Sequence, residues 1–273
     1  CKAKDSYGDS YYYRGNVTNN YVKFADKYCR IVRINGDGTV RVIYDGTSSH
    51  ANGESSSDRQ IGTSAFNRSY NDNAYVGYMY GATGASTYAT AHANTNDSTI
   101  KAYIDNWYKA NILGTANEEY LADNIFCNDR SISSNKPSSS FNNLGYGANA
   151  TAYRWYYFAN SSYNNKMMLT CPQQNDAFTV SDTINGNGAL TYPIGLLSMD
   201  EIVLAGGWST SSGWSTSNSG YYLYSGQVWW ASSPFSFDGN NAFVRGVLSN
   251  GNANLDCYVN SASGVRPVFN LKA

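Results

Sequence analysis

Five cysteines, two histidines and one adjacent pair of acids are the residues whose types could support covalent or acid–base chemistry. Cys1, Cys29, Cys127, Cys171 and Cys257 stand too far apart for the CxxC clusters of zinc sites. With only His50 and His92 to join them, no metal ligands are expected. Disulfides are the better use of thiols at this spacing. Cys127 in IFCNDRS and Cys171 in LTCPQQND each follow an apolar run and precede polar residues suited to tight loops, so Cys127–Cys171 is the expected disulfide. The odd count leaves a thiol over. Cys1 reads first as the end of a trimmed chain and second as a lipoprotein cysteine carrying an anchor. His50 in TSSHANG and His92 in ATAHANTN lie in polar, loop-like sequence, where solvated histidines are expected rather than a general base beside a nucleophile. Asp200 and Glu201 could pair as glycosidase carboxylates, but Glu201 three residues after Ser198 fits a helix capping box better. No P-loop or dinucleotide fingerprint is present. The chain is therefore not expected to be an enzyme, and no catalytic residue is assigned.

Recognition chemistry is better represented. Residues 227–273, QVWWASSPFSFDGNNAFVRGVLSNGNANLDCYVNSASGVRPVFNLKA, combine an apolar framework with many Asn, Ser, Asp, Phe and Tyr side chains, and they close in GVRPVFNL, which reads as a buried terminal strand or its approach. Composition agrees across the whole chain. Charged residues make up 14%, against roughly 25% in ordinary soluble domains, while aromatics reach 15% with 25 Tyr. Tyr supplies contact area with few rotors, and Ser, Gly and Asn supply adaptable hydrogen bonds. The formal net charge is −1 without a run of Lys or Arg, so no nucleic-acid partner and no anionic membrane surface are expected. No apolar segment approaches the ~20 residues of a spanning helix, so no transmembrane segment is expected.

The elements that must carry this segment are partly legible. At 273 residues, with no low-complexity linker, one domain over 1–273 is the expectation. Residues 11–44 alternate in period two around the turn Asn35-Gly36-Asp37-Gly38, which predicts a hairpin or meander. Residues 46–98 read as long loops packed over a core by the aromatic island Tyr75, Tyr78, Met79 and Tyr80. Ser98 opens a helix whose Ile100, Tyr103, Ile104, Trp107, Tyr108 and Ile112 form one apolar stripe before Gly114 stops it. A second, short helix starts at Ser198 and ends at Gly206 and Gly207. The echo GWSTSSGWSTSNSG at 207–220 reads as a flexible loop rather than a repeat architecture.

YVKFADKYCRIVRINGDGTVRVIYDG, NWYKANI, IFCNDRS, LTCP, ALTYPIGLLSMDEIVLAGG, SGQVWWASSP and GVRPVFNLK together resemble a family of bacterial surface proteins with a C-type-lectin-like, sulfatase-modifying-factor-like fold. The likeness spans nearly the whole chain. Its C-terminal segment also resembles the variable regions of proteins diversified by diversity-generating retroelements. Two departures stand out: Trp229 replaces the usual Tyr, and Cys29 replaces the usual Trp of the opening strand. The sulfatase-modifying relatives use two neighbouring C-terminal cysteines, whereas this chain has only Cys257 there. The EPN and WND calcium motifs of sugar-binding lectins are absent, although loop carboxylates leave room for a structural calcium.

The resemblance implies an α+β, C-type-lectin-like fold with antiparallel strands, two main helices and much irregular loop. It further implies a division of labour. Trp230, Ser233, Pro234, Ala242, Val244, Val247, Gly251, Val259, Gly264, Val265, Arg266 and Pro267 form the scaffold. Trp229, Phe235, Phe237, Asp238, Asn241, Phe243, Arg245, Asn252, Asn254, Asp256, Tyr258, Asn260 and Ser261 project outward as a ligand-binding patch. Aromatic and Arg anchors in a polar surround match the composition of binding hot spots. The competing reading makes the phenylalanines ordinary core and the asparagines ordinary turns. The expected function is adhesion or ligand binding at a cell or phage surface, with an extracellular protein or glycan as partner. The alternatives are a structural subunit of a surface assembly and a degenerate sulfatase-modifying-type enzyme. Oligomeric state and the pairing of Cys1, Cys29 and Cys257, with Cys29–Cys257 one candidate, are left open.

Overall fold

The computed structural model describes residues 1–84, 88–131, 167–207, 217–253 and 255–273; the 207–220 echo and the residues between the two cysteine segments lie largely outside them. The described chain is α+β, mostly antiparallel sheet with few helices. The predicted meander is β1 (Lys2–Asp5), β2 (Gly8–Tyr12), β3 (Tyr21–Phe24), β4 (Lys27–Ile34) and β5 (Val40–Gly46). Its pivot needs glycine: a Cβ at Gly36 would stand 2.3 Å from the Gly8 nitrogen, because Asp5 wraps this turn and accepts from the Gly36 amide at 2.9 Å.

Residues 46–98 are mainly irregular, interrupted by β6 (Thr63–Ser64), β7 (Met79–Tyr80), the single turn α1 (Tyr88–Ala91) and β8 (Asn96–Asp97). The aromatic island anchors them as expected. Tyr78 and Met79 are buried, and the Tyr75 and Tyr80 rings meet edge-on at 5.3 Å. Helix α2 (Thr99–Asn111) is capped by the Ser98 side chain on the Lys101 amide, and it buries Ile100, Ile104 and Tyr108. Next come β9 (Phe126–Cys127) and β10 (Ala177–Phe178), which pair with each other, and β11 (Ile194–Gly195). Helix α3 (Met199–Leu204) opens on the predicted Ser198/Glu201 capping box.

Strands β12 (Trp229–Phe237), β13 (Ala242–Val247), β14 (Leu255–Tyr258) and β15 (Ser263–Gly264) join β6 in a second sheet, ordered β14-β13-β12-β15-β6. The last strand, β16 (Val268–Leu271), is fully inserted between β5 and β11, completing a first sheet ordered β1-β2-β4-β5-β16-β11 with β3 on β4. Its residues are buried, as GVRPVFNL predicts. One core joins the two sheets and the helices, from Phe24 and Val42 through Ile104 and Ile202 to Trp230 and Phe269.

The expected Cys127–Cys171 disulfide is formed, with Cα atoms 5.5 Å apart. The polar residues after each cysteine meet each other. Asp176 accepts from the Arg130 amide at 2.7 Å and from its Nε at 2.8 Å, and the Asn128 side chain bonds Tyr78 and Ser232 of the main chain. Cys1, Cys29 and Cys257 are free thiols, so the candidate Cys29–Cys257 bond is not made; Cys29 lies inside the core.

Charge inside the core is organised around Asp45 on β5. Its carboxylate takes Arg59 Nε at 2.8 Å, Arg266 Nη2 at 2.6 Å, Arg30 Nε at 3.2 Å and the Tyr21 hydroxyl at 2.7 Å, and all three arginines are buried. The surplus guanidinium donors reach main-chain carbonyls of His50, Tyr222 and Leu223. Burial lowers the Arg266 pKa to about 10 against the opposing pull of Asp45, which leaves the guanidinium charged at neutral pH. A second buried group sets Glu201 of α3 against Arg33 and Arg41 at 3.1 and 2.6 Å. Asp45→Ala strands three buried guanidiniums, so urea denaturation is expected to show a loss of about 3–5 kcal/mol or failure to fold; a change below ~1 kcal/mol would remove Asp45 from this role.

Candidate functional site

The C-terminal sheet separates a sealed framework from an outer aromatic face. All twelve scaffold residues expected from the sequence are buried. Trp230 shows why: its Nε1 donates to the Ser64 carbonyl at 2.8 Å, and its ring meets Phe66 edge-on. This ties β12 to the loop that carries β6.

The outward set is only partly outward. Between Pro234↔Val244 and Ser236↔Phe243 the register shifts, so Phe235 is an extra residue in β12. The bulge separates Phe235 from Phe237, which the resemblance placed together in the outward set. Phe235 turns toward Phe243, while Phe237, paired with the buried Ala242, packs against the core. Trp229 is a correction: it is 1% exposed, sits beside Gly264 of β15 and carries the Arg266 guanidinium 4.9 Å over its ring. This part of β12 is covered on both faces, so neither tryptophan reaches solvent.

Arg245 and Asn252 are also buried rather than projecting. Arg245 lies under the face, its guanidinium carbon 3.9 Å from the Phe235 ring centroid. Burial lowers its pKa to about 10, opposed by Asp256 across the strand pair. Asn252 closes the β13–β14 connection, its carbonyl accepting from Leu248 at 2.9 Å. Asn254 lies outside the described residues.

Asp238 and Asn241 make the β12–β13 turn, as the competing reading held for the polar residues. Asp238 accepts from the Asn240 and Asn241 amides at 2.8 and 2.7 Å; slight burial pushes its pKa up, yet these donors hold it below the usual carboxylate range. Gly239 between them sits at φ +98°, which a side chain rarely adopts. Asp256 and Asn260 are exposed, and half-buried Ser261 turns the chain after β14 by donating its amide to Tyr258.

What the structure does bring together is Phe235, Phe243 and Tyr258 on adjacent strands. Ring centroids are 6.4 Å apart for Phe235–Phe243 and 4.6 Å for Phe243–Tyr258, and Tyr258 is 48% exposed. None of the three belongs to the main core. Asp256 stands in register with Arg245 beside them. The sequence reading missed a neighbour, the loop Arg68–Tyr70. The Tyr70 carbonyl accepts from Ala242 at 2.7 Å, Val259 accepts from Asn67 at 2.9 Å, and Tyr70 is 42% exposed. No periodic pattern marks this loop, because only those long-range hydrogen bonds bring it to the sheet.

Both histidines correct the expectation of solvated loops. His50 is 6% exposed, with Nδ1 2.7 Å from Glu54 and Nε2 3.0 Å from Asp58, and its own carbonyl accepts from Arg30. It pins the loop after β5 to the Asp45 cluster. His92 is buried with its ring 4.0 Å from that of Tyr88. Among the described residues no group of three or more His, Cys, Asp or Glu could hold a metal ion. A cleft between Arg33, Arg41, Asp129, Asp200 and Glu201 has room for roughly one water molecule. Its arginines are occupied by Asp5 and Glu201.

The sequence model of a family described as a domain of unknown function (DUF6273) matches residues 93–273, about two thirds of the chain. The chain belongs to the DUF6273 family. No curated protein and no solved structure matches it. The DUF6273 match contains α2, α3, the disulfide and the whole aromatic face, whereas β1–β5 precede it. The two parts are one packing unit nonetheless, since β16 of the DUF6273 region pairs with β5, and Arg266 reaches Asp45.

The contrast between framework and face is measurable. Trp230→Ala is expected to cost about 3–5 kcal/mol in chemical denaturation, while Tyr258→Ala should stay within about 1 kcal/mol. Similar losses at both positions would mean that Tyr258 is core.

Proposed function

We propose that the chain is an extracellular recognition module that binds a protein or glycan ligand through the Phe235–Phe243–Tyr258 face, without a chemical step. The observation that carries this reading is that these three rings cluster with one another, off the core, while the residues directly beneath them are sealed. Aromatic rings backed by a desolvated arginine are the composition of binding hot spots. Phe235 and Phe243 are half-buried and Tyr258 is exposed, a contiguous aromatic patch of the kind that marks a partner's contact. The Cys127–Cys171 disulfide supports a location in an oxidising compartment at or outside the cell surface.

The lectin-like scaffold is part of the same proposal. Two sheets, a capped helix on each side of the disulfide and long irregular connections leave the C-terminal segment free to vary at Phe235, Phe243, Tyr258 and Asn260, while Asp256 stays to face the buried Arg245. We place retroelement-driven diversification at these positions. Arg245, Trp229 and Asn252, being buried, and Phe237, packed against the core, stay constant in this scheme.

Two measurements test the two halves. On glycan and surface-protein arrays the chain is expected to bind at least one ligand, and Phe243→Ala with Tyr258→Ala to reduce that binding by more than about tenfold, the effect of losing one or two anchor residues; undiminished binding by the double variant rejects the face. Population sequencing of the gene is expected to show substitutions concentrated at Phe235, Phe243, Tyr258 and Asn260, at codons whose template copy carries adenine. An invariant segment with no template copy nearby rejects diversification and leaves a fixed ligand.

A further inference from the structure

We propose that β14 is a docking edge for a second copy of this chain, the two β14 strands pairing antiparallel about a twofold axis through Cys257. The hydrogen-bond parity of the sheet supplies the first argument. Val259 donates to Ala242 at 3.0 Å, so in an antiparallel ladder Cys257 and Val244 form the next hydrogen-bonded pair. Tyr258↔Phe243 and Asp256↔Arg245 are then non-hydrogen-bonded pairs. The amides of Asp256 and Tyr258 consequently point away from β13, and among the described residues β14 ends the sheet on that side. The Tyr258 carbonyl accepts from Ser261 at 2.9 Å and keeps a second lone pair.

Among the described residues the other ends of the two large sheets are guarded or short. β1 carries Lys2 and Lys4 and β3, which pairs only with β4, carries Lys23, the usual guard of an edge, while β6 and β11 have two residues each. β14 instead presents an aromatic residue that is 48% exposed.

Charge selects the occupant and the register. A strand laid on β14 must place some residue opposite Asp256, and an acid there repels it. Centring the axis on Asp256 opposes two carboxylates. Centring it on Cys257 sets each Asp256 opposite the partner's Tyr258, whose hydroxyl can donate to the carboxylate, and the outward amides and carbonyls of residues 256 and 258 then satisfy each other in both copies. β14 is thus self-complementary in the register centred on Cys257. The rows of rings on the two copies run together across the axis, and the two Cys257 residues face each other in a non-hydrogen-bonded pair, the closer of the two cross-strand spacings. The pairing stands whether or not the face binds a ligand.

Sedimentation equilibrium of the full chain, under reducing conditions, tests it with opposite charges at one exposed position. Tyr258→Asp opposes two acids twice per dimer and is expected to weaken association by about tenfold or more, whereas Tyr258→Lys places a cation opposite Asp256 and leaves association as strong or stronger. A short bifunctional thiol reagent is expected to join Cys257 to Cys257 in the wild type, read by peptide mass mapping, and to lose that product in Tyr258→Asp. Retained thermal melting in both variants confirms that they fold. A chain that stays monomeric at all concentrations overturns the proposal. So does equal weakening by both substitutions, the behaviour of a merely sticky aromatic patch, or a dimer in which Cys257 is not joined to Cys257.

Discussion

The Asp45 carboxylate is the contact on which the rest of the structure depends. A buried carboxylate facing three buried guanidiniums is stable only because a set of main-chain carbonyls absorbs the excess donors, while the Tyr21 hydroxyl donates to the carboxylate as well. Each of those groups comes from a different part of the chain. Arg30 belongs to the opening meander, Arg59 to the long loop after it, and Arg266 to the approach to the last strand. Forming the cluster therefore docks the N-terminal sheet, the irregular 46–98 region and the DUF6273 C-terminus in one step. His50 between Glu54 and Asp58 then holds the loop in place around it.

That rigidity is what makes an exposed aromatic face tolerable. Trp229 stacks with Arg266, itself bound to Asp45, so the base of β12 is fixed from below, and Trp230 fixes it from the side through Ser64. Farther along the strand the Phe235 bulge releases one ring to the outside and draws Phe237 in. Arg245 fills the space beneath Phe235 with a charge that needs Asp256 nearby, which couples β13 to β14. The face is thus a thin layer of rings over a sealed base, and substitutions in the layer leave the base intact.

The binary pattern by itself determined much of this protein. Period-two alternation around Asn35–Gly38, the apolar stripe from Ile100 to Ile112, and Ser198 with Glu201 specify their elements through local dihedral preferences and neighbouring side chains, and all of them are present. The Cys127–Cys171 pairing was legible from the matched sequences around the two cysteines. The buried or exposed state of the C-terminal residues was legible wherever strict alternation survives, as at Ala242, Phe243 and Val244. Tertiary structure alone decided the rest. A bulge adds one residue to one strand and flips everything after it, so Phe237 could not be placed from its spacing. Trp229, Arg245 and both histidines are polar-tipped or charged side chains whose burial depends on how the fold closes around them: Arg266 reaches the Trp229 ring from the approach to the last strand, Arg30 of the meander donates to the His50 carbonyl, and the Asn175 side chain donates to that of His92. No local pattern encodes such partners, because desolvating a polar group is favourable only once its counterpart has been delivered by the fold.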